Sequence, residues 1–118
     1  MKNTKDVEHK VQCAICEYLD ILRIFYFAVP NGSYKSKAAA NKFKREGLKA
    51  GIPDLCILKN GKAYFIEVKK PKTDTPQGRV SSTQAKVFKQ IQDVGCEVEV
   101  VRSVADVREC LHKWGFGD

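Results

Sequence analysis

No stretch of these 118 residues approaches the roughly 20 consecutive apolar positions that a membrane-spanning helix requires. The N-terminus is polar and lacks the apolar core of a secretion signal, so a cytoplasmic protein without a membrane partner is the expectation. Metal-binding spacings are sparse as well. The two histidines, His9 and His112, pair with nothing at ligand spacing and read as surface residues. Five cysteines, an odd number, argue for reduced thiols and against a disulfide framework. Cys13-x-x-Cys16 has no second CxxC or histidine pair to complete four ligands, so its thiols are expected to be small buried apolar groups. No internal repeat, low-complexity tract, zinc finger or base-reading helix pattern is present. The length supports one domain, residues 1–118, with a single core.

What the sequence has in excess is positive charge. The formal net charge is +7, and all of that excess is local. Between Lys35 and Lys72 stand eleven Lys/Arg residues against three acids, whereas the rest of the chain holds ten basic and eleven acidic residues. Lys35, Lys37, Lys42, Lys44, Arg45, Lys49, Lys70 and Lys72 are therefore candidates for binding a polyanion through phosphate contacts that weaken with salt. A lysine-rich stretch that is merely solvated is the plainer alternative.

Inside that stretch lies GIPDLCILKNGKAYFIEVKK, Gly51 to Lys70. Leu55–Leu58 and Ala63–Val68 read as two strands joined by a tight turn at Asn60-Gly61. Asp54 opens the first strand, and Glu67 and Lys69, two residues apart, leave the second on one face. A carboxylate between Ile66 and Val68 is costly to desolvate, and a second beside it repels it unless a cation intervenes. A divalent metal held by oxygens meets that need. The alternative is an edge hairpin with solvated charges and an Asp54 that caps a turn.

Pro53-Asp54, twelve residues, then Glu67-Val68-Lys69 resembles the motif of the PD-(D/E)XK nuclease superfamily. With the Gly51-Ile52 lead-in, Glu8…Gln12 and Gln84, the chain is similar to a minimal, stand-alone VRR-NUC domain, over roughly Val7 to Val101. The resemblance implies a Mg²⁺ or Mn²⁺ site in which Glu8 is the third carboxylate and the Val68 carbonyl a further ligand. Taken alone, Glu8 only complements the positive end of its helix dipole. Lys69 would orient the attacking water or offset phosphate charge. Gln84 has two readings: the Ser81–Gln84 spacing fits a capping box, and the family places a glutamine near the active site.

The remaining pattern supplies the fold. Val7, Val11, Ala14/Ile15, Tyr18 and Leu22 predict an amphipathic helix from Thr4 to about Leu22. Ile24–Val29 predicts a short strand beside the hairpin, ended by Pro30-Asn31-Gly32. Ser36 to about Lys49 carries only Ala40, Phe43 and Leu48 as an apolar stripe. It predicts a short helix or ordered loop over the cleft, with Tyr34 and Phe43 available to stack on bases. After a loop at 71–79, a helix from Ser81 with Val87, Phe88, Ile91 and Val94 ends at Gly95. Cys96–Val101 alternates as a strand, and Ser103–Trp114 is a capped helix with Asp106 at the capping-box position and Val104, Val107 and Leu111 inward. This order predicts an α/β, restriction-endonuclease-like αβββαβ core, a mixed four-stranded sheet flanked by helices.

The expected function is a metal-dependent, structure-selective DNA endonuclease acting on branched DNA such as flaps or four-way (Holliday) junctions, in DNA repair or recombination as the resemblance implies. Symmetric cutting of a four-way junction needs two active sites, so a homodimer is expected. Trp114 and Phe116 are candidate dimer contacts, with terminal packing as their other reading. The competing readings are a sequence-specific restriction-type endonuclease and a non-catalytic nucleic-acid-binding module.

Overall fold

The computed structural model describes residues 4–30, 36–71 and 79–117, residues 4–6 by backbone alone. Asn31, Gly32, Tyr34, Lys35, Lys72 and most of the loop at 71–79 lie outside the described residues.

Among the described residues, four helices and four strands follow the predicted order: α1 (Thr4–Ile21), β1 (Tyr26–Ala28), α2 (Lys37–Arg45), β2 (Leu55–Lys59), β3 (Lys62–Val68), α3 (Ser82–Asp93), β4 (Glu97–Val101) and α4 (Val104–Lys113). The strands form one mixed sheet in the order β1-β2-β3-β4. β1 and β3 run antiparallel to β2, and β4 runs parallel to β3. The parallel pair requires a crossover, which α3 supplies.

The Asn60-Gly61 turn fixes the hairpin register. Both residues take positive φ, 51° and 77°, as a two-residue turn matched to the strand twist demands, and Lys59 pairs with Lys62. From there the alternation of side chains divides the sheet. Leu55, Ile57, Ile66, Val68 and Val101 face one way and bury against Ile15 and Leu19 of α1 and Val107, Cys110 and Leu111 of α4. Cys56, Phe65 and Val98, in register across β2, β3 and β4, face the other way, where α3 contributes Phe88. Glu67 falls on the α3 side because its neighbours Ile66 and Val68 are committed to the main core.

Several positions depart from the expected pattern. Leu19, not Leu22, is the fully buried partner of Ile15, since α1 ends at Ile21 and Leu22 lies in the following turn. Val94 is 79% exposed, because α3 ends one residue earlier and Val94 is its C-cap. Cys13 is exposed with its Sγ 3.5 Å from His9 Nε2, and Cys16 is half-buried, so the pair is not a buried apolar element. Asp106 does not close a capping box at Ser103. Its carboxylate reaches one residue further and accepts from the Arg102 N–H at 2.8 Å, while Ser103 Oγ accepts from the Asp106 N–H. Trp114 and Phe116 stack around Tyr64, with ring centroids 4.9 and 5.1 Å away, so each makes the terminal packing that is one of its two readings. No helix among the described residues is long and apolar enough to cross a membrane.

Candidate active site

The site forms where three chain segments meet at one end of the sheet. β2 starts there, and the parallel strands β3 and β4 both finish there. Asp54 therefore enters the same edge that Glu67, Val68 and Lys69 leave. Its backbone carbonyl accepts from the Val29 N–H at 2.8 Å, and its Oδ2 accepts from the Val68 N–H at 2.8 Å. The aspartate is thus pinned across the hairpin, behind a fully buried Pro53.

Glu67 is only 3% exposed, an unusual burial for a carboxyl group. Oε2 accepts from Gln84 Nε2 at 3.0 Å and lies 3.7 Å from Lys69 Nζ. Oε1 is buried and receives no N–H or O–H among the described residues, and a hydrogen bond with the Asp54 carboxyl forms only when one of the two groups holds a proton. Burial pushes the Glu67 carboxyl up to about 8, with the Asp54 carboxylate adding to the rise and Lys69 opposing it. Glu8 adds the smallest upward push on Glu67, and no hydrogen bond or ion pair among the described residues ties it to the site. Among the described residues, no three side chains of the His, Cys, Asp and Glu types gather closely enough to form a metal cage by themselves.

Gln84 reaches Glu67 because α3 begins beside the GIPD turn. Its side chain performs both of the roles open to it in the sequence. Oε1 accepts from the Ser81 N–H at 3.0 Å and Ser81 Oγ accepts from the Gln84 N–H, closing the capping box, while Nε2 turns to Glu67. Gly51 makes this approach possible. It has φ +80°, and a Cβ there would fall 3.0 Å from the Thr83 carbonyl oxygen and 3.1 Å from the Gln84 nitrogen. That contact is long-range, and nothing local in the sequence signals it.

The sequence pattern did not single out Arg102. Its Nη1 donates to the Lys70 carbonyl at 2.9 Å, and the Lys69 N–H bonds to the Val101 carbonyl at 2.9 Å, which ties the Lys69-Lys70 segment to the end of β4. A basic residue directly after a strand that ends beside β3 is the signal that could have marked it. Of the candidate phosphate-binding residues, Lys37, Lys42, Lys44, Arg45 and Lys49 are exposed on α2 or just after it, and Lys70 is half-buried. α2 buries no residue, and Phe43 remains 38% exposed.

The site brings an aspartate and a buried glutamate to the end of a hairpin in an α/β domain, with a lysine on the glutamate's face and a helix terminus beside them. The VRR-NUC domain model matches residues 27–105, and the chain belongs to that family. Two solved structures are similar. One, a VRR-NUC domain protein, is 21% identical, with 98% of this chain and 92% of that chain covered and a TM-score of 0.71. The other, a VRR-NUC domain, is 25% identical, with 91% and 96% covered and a TM-score of 0.61. No curated protein matches the chain.

Proposed function

We propose that this chain is a metal-dependent endonuclease that hydrolyses phosphodiester bonds at branched DNA, flaps or four-way junctions. The observation that carries the reading is the Glu67 carboxyl group: buried, one oxygen given no N–H or O–H donor among the described residues, and pushed toward neutrality by burial and by the neighbouring Asp54 carboxyl. A buried acceptor left unsatisfied costs about 1–3 kcal/mol unless a ligand satisfies it. A small divalent cation is a ligand of the right charge, and oxygen donors suit Mg²⁺ or Mn²⁺.

Asp54, Glu67 and the Val68 carbonyl would hold the ion, with Glu8 as an outer carboxylate. When bound, it lowers the pKa of a water and offsets charge on the phosphate. The other work falls to the chain itself. Lys69, nearly buried and 3.7 Å from Glu67, presents a fixed ammonium that orients the attacking water or offsets negative charge growing on the phosphate. Gln84 holds Glu67 in one rotamer through its amide N–H. The Val68 N–H keeps Asp54 from swinging out of the cleft. The exposed bases of α2 bind flanking phosphates without reading bases, which supports selection by DNA shape. Two copies related by a two-fold axis would supply the paired sites that symmetric junction cutting needs.

The test is a panel of linear duplex, flap and four-way junction DNA incubated with Mg²⁺, Mn²⁺ or chelator. The reading expects metal-dependent cleavage of the branched substrates. Cleavage of linear duplex at fixed sequences would make the enzyme restriction-type, and binding without product would make it a non-catalytic module.

A further inference from the structure

At the opposite end of the sheet from Asp54 and Glu67, a groove of about 760 Å³ opens between the end of α1, the start of β1, the end of β2 and the last turn of α4. Its floor is apolar, built from Leu22, Phe25, Leu58 and Phe116. Phe25 is 65% exposed and Leu58 43%, a concentration of accessible bulky side chains that marks an interaction surface. Its charges are all of one sign. Arg23, Lys59 and Arg108 line it, and no aspartate or glutamate does so among the described residues. Lys59 is held at the wall, its Nζ 4.3 Å from the Phe116 ring centre and donating to the Phe116 carbonyl.

We propose that this groove docks an acidic segment of another protein, one whose carboxylates meet Arg23 and Arg108 while its leucine or phenylalanine side chains enter the apolar floor. Apolar anchors combined with charge pairing at the rim are how grooves of this kind recognise short peptides. A nucleic-acid backbone would satisfy the cations but leave the floor uncovered. A second copy docked groove to groove would set Arg23, Lys59 and Arg108 against themselves, a like-charge arrangement that disfavours association. Because the groove and the catalytic edge lie at opposite ends of the β2–β3 hairpin, a docked segment leaves the cleft open. The partner would tether the nuclease without competing with DNA.

The test uses the full chain and a fluorescein-labelled synthetic peptide of aspartates interleaved with leucine and phenylalanine, followed by fluorescence anisotropy. Binding is expected, with a loss of at least about tenfold for Arg23→Glu/Arg108→Glu and a comparable loss for Phe25→Ser. A peptide with serine in place of leucine and phenylalanine should bind far more weakly. Both variants alter exposed side chains, so circular dichroism and branched-DNA cleavage should match the parent chain. Equal peptide binding by parent and variants would overturn the proposal. So would displacement of the peptide by duplex DNA, which would make the groove a nucleic-acid surface. A parent dimer that Phe25→Ser converts to monomer would overturn it as well, since the occupant would then be a second copy.

Discussion

Gln84 stands between Ser81 and Glu67, its Oε1 accepting from the Ser81 N–H and its Nε2 donating to Glu67 Oε2, each at 3.0 Å. One side chain therefore caps α3 and positions a candidate metal ligand. Ser81→Ala removes a capping acceptor only and should cost about 1 kcal/mol of stability with little change in cleavage. Gln84→Leu keeps the bond from the residue-84 N–H to Ser81 Oγ but removes the return bond to the Ser81 N–H and the hold on Glu67 together. It should lose a similar amount of stability, measured by urea unfolding, but reduce cleavage at least about tenfold further. Equal activity in the two variants would reduce Gln84 to a cap.

The buried Glu67 carboxyl makes stability depend on pH in a definite direction. At pH below the ordinary value of 4.5, the group is protonated in both folded and unfolded chains and costs nothing extra. As pH rises toward 8, the unfolded chain releases the proton while the folded one retains it, so stability falls, and the loss is complete above about 8. In chelator, Glu67→Gln should unfold at a higher temperature than the parent at pH 8, by an amount reflecting a few kcal/mol, and at nearly the same temperature at pH 4.5. Added Mg²⁺ or Mn²⁺ should raise the parent's Tm at pH 8 and leave that of Glu67→Gln nearly unchanged. Matching melting curves at pH 8 would contradict the assigned burial cost.

Two glycines with nearly the same φ should respond differently to alanine. At Gly61, φ +77°, nothing among the described residues lies within 4 Å of an added Cβ, so Gly61→Ala should cost about 1 kcal/mol from backbone strain and spare activity. At Gly51, φ +80°, the Cβ meets backbone atoms of Thr83 and Gln84, which cannot yield without moving α3. Gly51→Ala should therefore cost about 1–3 kcal/mol in stability and also lower the cleavage rate, measured on the fraction that remains folded. Equal effects at the two sites would mean that the Gly51–α3 contact does not position the site.

The exposed bases of α2 are predicted to act on DNA affinity alone. Replacing Lys42, Lys44 and Arg45 by alanine disturbs nothing buried, so Tm should stay within a degree or two. Affinity for a four-way junction should fall, and the slope of log affinity against log salt should flatten by about 0.9 for each phosphate no longer neutralised. Cleavage at saturating DNA should be retained. An unchanged salt slope would remove α2 from the binding face.

The hairpin was legible because its instructions are local: Asn60-Gly61 sets the turn, and two-residue alternation sets the faces. The caps of α3 and α4 were legible for the same reason, through Ser81 and Ser103. The exchange of Leu22 for Leu19, and the exposure of Val94, arose at helix ends, where one residue of fraying rotates a side chain out of the buried stripe. Cys13 departs from expectation because a thiol is usually buried, yet on α1 it falls outside the face that Ile15 and Leu19 define. At the site, Asp54, Glu67 and Lys69 could be brought together from spacing alone. The Gly51 contact with α3 and the Arg102 tie to Lys70 could not, since both join segments distant in sequence.

The central claim is that Asp54 and Glu67 together hold the cation on which cleavage depends, and the most direct measurement is cleavage of a labelled four-way junction by Asp54→Asn/Glu67→Gln beside the parent chain. With Mg²⁺ or Mn²⁺ the parent should cut, and the double variant, folded by circular dichroism and still shifting the junction on a gel, should yield no product. A double variant that cuts at the parent's metal-dependent rate would contradict the account.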